Sequence, residues 1–351
     1  MKYLLIDGNN LAVRAAFANE GLKNADGIPT SVHYGVFQSL INLRQKFPNH
    51  NTLIAWDGKS KRRMEESTEA VKSGIIPQAY KENRKKDVMP QPLLDFYKQA
   101  PFLQKGIGQT GLPQIRLMEY EADDVIASYV KVLKASAEDI VMATSDKDYY
   151  QLLDNNVRLW DGMKMSEVLY DAWKIEWGIE PNQWVEVGAL MGDDGDNIFG
   201  VPGWGEKTSI KAIKKYGTWD KAIESYRNNL EAERVKHPDL NTISEGQTQF
   251  DYLATKKSEK GKFVYPEITF DMPYTGVLLA FDQDKISCPK AEIMALMFEK
   301  RVKLAFSLKK MDEDISELPE FSKGPINKEK LSEYFEFYDI KTLQDAMGLF
   351  E

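Results

Sequence analysis

An α/β fold, a mostly parallel sheet flanked by helices, is what this sequence predicts, on three observations. Three short apolar runs, Tyr3–Ile6, Leu53–Trp56 and Ile140–Thr144, have the length and composition of buried strands. Amphipathic helical patterns lie between them. Each run leads into aspartates: the first two directly into Asp7 and Asp57, the third through Ser145 to Asp146 and Asp148.

Taken in order, Ser31–Phe47 follows a Pro29-Thr30 start signal and carries Val36, Phe37, Leu40 and Ile41 on one face. Residues 60–90 are highly charged and broken by Gly74 and Pro77, which predicts helices and loops standing over the sheet. Glu121–Leu133 repeats Val125, Ile126, Tyr129, Val130 and Leu133 at helical spacing. From Gln183 the pattern turns mainly helical, with a Gly/Pro-rich loop at Gly200–Gly205. Residues 230–265 are polar and weakly patterned, as expected of an insertion, and Lys290–Lys310 and Lys328–Met347 each read as a helix or helix pair.

The bulk composition excludes several classes. Apolar residues make up 42% and charged residues 28% of 351, the balance of an ordinary globular protein. No apolar run approaches the ~20 residues that span a bilayer, and Asp7 interrupts the N-terminal apolar stretch too early for a signal peptide. The single cysteine, Cys288, cannot form an internal disulfide, and three histidines argue against a zinc cluster. A cytoplasmic location is expected. The formal net charge of −8 opposes a nucleic-acid partner only if charge is evenly spread, and it is not. Lys59-Ser-Lys-Arg-Arg63 and Lys81-Glu-Asn-Arg-Lys-Lys86 are basic, whereas acids gather in Glu121-Ala-Asp-Asp124, Ser145-Asp-Lys-Asp148 and Gly192-Asp-Asp-Gly-Asp196.

In a parallel sheet, Asp7, Asp57, Asp146 and Asp148 lie at the carboxyl edge, where open α/β sheets bind ligands. Glu121, Asp123 and Asp124 open a helix, and Asp193 and Asp196 follow the apolar segment Val187–Met191. Nine carboxylates converging on one cleft would repel one another strongly unless divalent cations neutralised them. An all-oxygen donor set suggests two or three magnesium or manganese ions, suited to in-line displacement at phosphorus. Taken singly, each cluster is equally well explained by helix capping or an Asx turn.

At these residues the sequence resembles the flap endonuclease and 5′-exonuclease family, notably the bacteriophage 5′ nucleases and the 5′-nuclease domain of bacterial DNA polymerase I. The resemblance is carried by Leu5-Ile-Asp-Gly-Asn-Asn10, Ala55-Trp-Asp-Gly-Lys59, Tyr80-Lys-Glu-Asn-Arg84, Tyr120-Glu-Ala-Asp-Asp-Val-Ile126, Ala143-Thr-Ser-Asp-Lys-Asp148 and the stretch from Leu190 to Thr208. It implies a PIN-like core at residues 1–180 with a helical arch at 60–105, a helix–hairpin–helix region at 181–310 and C-terminal helices at 311–351. It further implies structure-specific cleavage of branched, nicked or 5′-flap DNA, including RNA primers on DNA, by a monomer working beside replication proteins and away from membranes. No polymerase-like segment follows, so a stand-alone nuclease is expected.

By this resemblance Asp7, Asp57, Glu121 and Asp123 are ligands of the metal at the scissile phosphate. Asp146 lies between the sites, helped by Asp124, and Asp148, Asp193 and Asp196 serve the second metal. Lys81 and Arg84 are active-site cations that stabilise the transition state, and Tyr80 is an aromatic on which a nucleobase stacks. The chain departs from the family in a longer interval between Asp57 and Tyr80, with the excess in Ser67–Pro77, and in the extra acid of Asp194-Gly195.

Gly200-Val-Pro-Gly-Trp-Gly-Glu-Lys-Thr208 lies between two helical patterns, the form of a helix–hairpin–helix. Gly203 and Gly205 let the backbone approach a duplex phosphate, amides at the next helix start bind it, and Lys207 and Lys211 add charge. The family's version commonly holds K⁺ at the hairpin. Two alternatives remain open at this point: a PIN-type ribonuclease, or an inactive DNA-binding relative on the same fold. An aspartyl phosphatase is opposed by Gly8-Asn9 after Asp7, where that chemistry needs Asp-x-Asp.

Overall fold

The computed structural model describes residues 1–84, 89–236 and 290–351, and these divide into two compact units. The first comprises Met1–Lys61, Arg84–Glu176 and Met311–Glu351; the second comprises Arg62–Asn83 and Trp177–Lys310. The basic positions Lys85 and Lys86, and most of the expected insertion at 230–265, lie outside the described residues.

The first unit is built on a six-stranded sheet ordered β3-β2-β1-β4-β5-β6. Its strands are β1 (Lys2–Asp7), β2 (Asn51–Trp56), β3 (Gln114–Arg116), β4 (Asp139–Ala143), β5 (Val157–Asp161) and β6 (Ser166–Val168). All neighbours pair in parallel except β5 with β6, which form an antiparallel edge. The three apolar runs are the three central strands, which are buried on both faces and therefore continuously hydrophobic. The remaining strands, β5 and the edges β3 and β6, are short or partly polar, so they gave no comparable signal.

Alternation along β1 assigns its two faces. Leu4 and Ile6 join the cluster formed by α1 (Gly8–Ala18), α2 (Ser31–Lys46) and α4 (Gln91–Gly108), with Phe37, Leu40, Phe96 and Leu103 at its centre. Leu5 is equally buried but outside that cluster, and α5 (Ala122–Leu133) buries Val125, Ile126, Tyr129 and Val130 on the sheet's other side.

Residues 311–351, expected as a separate C-terminal part, belong instead to this unit. The helix Lys328–Phe337 inserts Leu331 and Phe335 into the main cluster, and the following turns add Phe350. The Tyr338 ring stacks on His33 at 3.6 Å, and Asn24 Nδ2 donates to Phe337 O at 2.9 Å. The apolar face of that helix would otherwise be exposed, and α2 and α4 supply the surface that covers it.

The second unit is helical. It contains most of α3 (Lys61–Lys72), then α7 (Trp184–Met191), α8 (Glu206–Tyr216), α9 (Trp219–Lys236) and a helix pair, Lys290–Met297 and Glu299–Lys309; α6 (Tyr170–Trp177) ends at the boundary. Arg62 and Arg301 tie α3 and the segment after it to the last helix. Arg62 donates to Ser307 O and Lys310 O at 2.6 and 2.8 Å, capping the helix C-terminus, and Arg301 donates to Ile75 O at 2.8 Å.

Candidate metal centre and duplex-binding loop

β1 and β4 are neighbours in the middle of the sheet, and the connections leaving them run to opposite sides, which makes their carboxyl ends a topological switch point. The register Asp7↔Ala55 and Ile6↔Ala143 brings the ends of β1, β2 and β4 level. Asp7, Asp57 and Asp146 thus emerge along one edge. Two glycines allow the packing there. A Cβ on Gly8 would lie 2.8 Å from the Trp56 ring, and one on Gly58 would lie 2.0 Å from Leu117 O.

Asp7 is buried and caps α1, accepting from Asn10 N at 2.9 Å. Tyr149 OH donates to its other oxygen at 3.1 Å, and Thr144 Oγ1 lies 3.5 Å from the same atom. Burial pushes its carboxyl up, Asp57, Asp146 and Asp123 push it further, and the Asn10 amide only partly offsets them, so it rises to about 8. The Tyr149 hydroxyl is likewise held well above its ordinary range by burial and by the same four aspartates.

The neighbouring acids are fixed by backbone amides. Asp57 accepts from Ala122 N at 2.9 Å, which joins the end of β2 to the start of α5. Glu121 is the buried N-cap of α5, Asp123 accepts from Asp124 N at 2.8 Å, and Asp146 accepts from Asp148 N at 2.9 Å. Asp124 is 1% exposed and accepts from Glu121 N at 3.2 Å and Asp312 N at 2.8 Å. Its carboxylate ties the C-terminal segment to α5, a structural duty the sequence did not suggest. Among the described residues, no group of three or more acidic, histidine or cysteine side chains is drawn together closely enough to hold a metal ion as it stands. The oxygen-only donors and the strained ionisation of Asp7 nevertheless suit a hard divalent cation, which takes one or two protein carboxylates and keeps several waters.

In the second unit Asp193 and Asp196 flank a short turn, and each meets a lysine. Lys309, only 5% exposed, reaches Asp193 at 2.7 Å, and Lys81 Nζ lies 3.8 Å from Asp196. Burial pushes the Asp193 carboxyl up, but Lys309 and the amides of Gly195 and Asp196 outweigh it and hold it below its ordinary value. Lys81 has φ = +56°, a left-handed conformation rare for a side chain of this kind, and its amide donates to Asp196 O at 2.9 Å. Asn83 donates to Asp194 O at 3.1 Å and Asn197 to Ala79 O at 3.0 Å, so the 79–83 and 193–197 turns are laced together.

Tyr80, expected to stack a nucleobase, is 9% exposed, lies 3.4 Å through its hydroxyl from Asp196 Oδ2 and sits beneath Lys81 Nζ at 4.8 Å. Here its ring is buried, with the Arg63 guanidinium 6.0 Å from its centre. Arg84 is exposed, in the first unit.

The glycine loop lies between α7 and α8, as the sequence indicated. Gly203 has φ = +79° and so requires glycine, whereas Gly205, the N-cap of α8, has an ordinary φ of −107° and open space beside it. Any strain on substitution therefore falls at Gly203 and not at Gly205. Lys207 and Lys211 are exposed. Ser209 Oγ and Trp204 Nε1 are buried without a hydrogen-bond partner among the described residues.

The comparisons with known proteins agree with this fold. Residues 2–178 match the 5′-3′ exonuclease N-terminal resolvase-like domain, and residues 179–255 match the 5′-3′ exonuclease C-terminal SAM fold. The chain belongs to the 5′-3′ exonuclease family. It is 31% identical over 236 residues to the thermostable DNA polymerase I of Thermus thermophilus, covering 67% of this chain and 26% of that one. It is 35% identical over 246 residues to DNA polymerase I of Caldicellulosiruptor bescii, covering 66% and 27%. The chain therefore spans about a quarter of the length of these curated relatives. Among solved structures, T5 5′-exonuclease with bound divalent zinc aligns with TM-score 0.53 at 23% identity, covering 64% of this chain and 79% of that one. The catalytic core of Rad2 in complex with a DNA substrate aligns with TM-score 0.57 at 15% identity, covering 99% and 92%. At such identities these two likenesses establish the fold. No helix among the described residues is long and apolar enough to cross a membrane.

Proposed function

We propose that this chain is a magnesium-dependent, structure-specific 5′ nuclease that hydrolyses phosphodiester bonds of flap, nicked or branched DNA. The observation that carries the reading is Asp7: a buried carboxyl at the sheet's switch point, surrounded by Asp57, Asp146 and Asp123, is a site organised for cations. A divalent ion bound there supplies Lewis acidity and charge neutralisation at the scissile phosphate. Asp7, Asp57, Glu121, Asp123 and Asp146 would hold it, directly or through water. Asn10 and Tyr149 aim the Asp7 carboxylate, and Ala122 aims that of Asp57. Asp124 supports this set from behind, through Glu121 and Asp312. Asp148, Asp193 and Asp196 remain, by family resemblance, the candidates for further metal binding, with manganese able to replace magnesium.

Lys81 supplies positive charge to the developing transition state, and its left-handed backbone supports this reading, since such strain is retained where function demands a particular placement. Arg84 is proposed as a second phosphate contact. The Gly203–Lys211 segment grips duplex backbone through amides and lysines, and the unsatisfied Ser209 hydroxyl supports a K⁺ site beside it. Primer removal during replication, with a cytoplasmic location and a monomeric state, is the matching biological role.

The test is incubation with 5′-flap, nicked, gapped and single-stranded DNA, and with single-stranded RNA, in magnesium and in chelator. Magnesium-dependent cutting near the 5′ junction of flap DNA is expected. Cleavage confined to single-stranded RNA would favour a PIN-type ribonuclease, and binding without cleavage an inactive relative.

A further inference from the structure

A cavity of about 580 Å³ opens beside the acidic edge, and the proposed cleavage reaction makes no use of it. Its walls come from α1, α2, the end of β4 and the β5–β6 hairpin, all within the first unit. Its size is that of a small-molecule site. We propose that it binds a nucleoside 5′-monophosphate, as the free nucleotide or as the phosphorylated 5′ end of a strand.

Arg14 is the central element. Its guanidinium is half-buried against Gly162, where an added Cβ would lie 3.2 Å from both terminal nitrogens, and its Nε is buried with no hydrogen-bond partner among the described residues. A desolvated guanidinium with an unused donor costs free energy unless an acceptor completes it, and a planar fork matches a phosphate's two oxygens. Burial also draws its pKa below the usual range, against the opposing pull of Asp161. Asp161 is itself occupied: it accepts from Met163 N and Lys164 N at 2.9 and 3.3 Å and pairs with Lys164 at 3.5 Å, which holds the hairpin turn beneath Arg14. Lys46, over the Trp160 ring at 4.4 Å, contributes a second cation to the rim while pairing with Glu167.

The remainder suits a nucleoside. Leu11, Leu43 and Trp160 form apolar wall, and Asn42 and Gln45 present amides able to meet base edges. Thr144 lines the cavity, and its hydroxyl lies 3.5 Å from Asp7 and accepts from Asp146 N at 3.2 Å. One residue thus separates the cavity from the acids, where a 5′-phosphorylated product would be released. The choice of a nucleotide over another phosphomonoester rests on the nuclease reading; the binding measurement does not, because it is made in chelator without turnover.

The experiment is titration calorimetry of the full chain in chelator with deoxyadenosine 5′-monophosphate, with deoxyadenosine, and with a 5′-phosphorylated tetranucleotide. Saturable binding of the monophosphate or the tetranucleotide is expected, with none of deoxyadenosine. Arg14→Gln should weaken it at least about tenfold, the scale of a lost charge-assisted hydrogen-bond pair. Arg14→Lys keeps the charge and the stem, which covers failure of the glutamine variant to fold; it too should lose affinity, because an ammonium offers no planar fork. Binding of the mononucleotide alone would identify a released product as the occupant, and of the tetranucleotide alone a strand end. No saturable binding of either, or affinities equal in wild type and both folded Arg14 variants, would overturn the proposal, as would equal binding of deoxyadenosine.

Discussion

At the sheet edge the charges that act on Asp7 are other carboxylates, whereas in the 193–196 turn Asp193 and Asp196 each face a lysine. The same residue type therefore moves in opposite directions, Asp7 up to about 8 and Asp193 below its ordinary value. The first region stores repulsion that a bound cation would relieve. The second carries its counter-cations within the chain. Burial is common to both and the partner's sign decides the outcome.

The largest expected effect comes from removing the external cation or its ligands. Cleavage should vanish in excess chelator and return with magnesium or manganese, and Asp123→Asn or Asp146→Asn should lower single-turnover rates by several orders of magnitude with the circular dichroism spectrum unchanged. Asp7→Asn sharpens the comparison, because it should abolish cleavage and yet stabilise the metal-free fold. The Asp7 pKa is raised, so its favourable contribution is complete below about 4 and is lost as pH rises towards about 8. In chelator at pH 8 the variant should melt higher than wild type, with the difference shrinking as pH falls to 4. A variant that melts lower at pH 8 would break the contrast.

Next in size is Lys81. Lys81→Ala should cut the single-turnover rate by ~100-fold, the scale of one lost electrostatic stabiliser, with little change in substrate affinity. Lys81→Gly should lose the same activity while melting at or above the alanine variant, since glycine adopts the left-handed backbone without strain. A rate restored at saturating substrate would make Lys81 a binding contact only.

The internal pair at Asp193 should matter less. Lys309→Met leaves a carboxylate uncompensated, but Asp193 is 37% exposed and water screens it, so the loss should fall short of the ~3–5 kcal/mol of a fully buried pair. Adding Asp193→Asn to Lys309→Met should recover part of it in urea unfolding. Failure to recover any would show that Lys309 acts by packing against Gly188, where its side chain also lies.

The smallest effect separates two glycines. Gly203→Ala should cost ~1 kcal/mol through its positive φ, and Gly205→Ala should leave stability unchanged. Both variants should bind flap DNA with a shallower salt dependence if the loop holds duplex phosphates. Unchanged salt slopes in both would leave the loop a plain interhelical turn.

Much of this arrangement was legible in the sequence because its signals are local. Central strands are apolar on both faces, so β1, β2 and β4 declared themselves; Asp7 and Asp57 precede glycines that the close packing requires, and Glu121-Ala-Asp-Asp124 opens a helix by capping chemistry alone. The edge strands, the joining of residues 311–351 to the first unit, and the burial of Tyr80 were not legible. Each depends on surfaces supplied from far along the chain. Lys309 is the sharpest instance: 116 positions separate it from Asp193, and no spacing rule links them. The sequence by itself determined the three central strands, the kinds of donor and the family. Tertiary structure alone decided which carboxylates would meet other carboxylates and which would meet lysines, because a pKa is set by burial and by neighbours in space, and those are fixed only once the chain has packed.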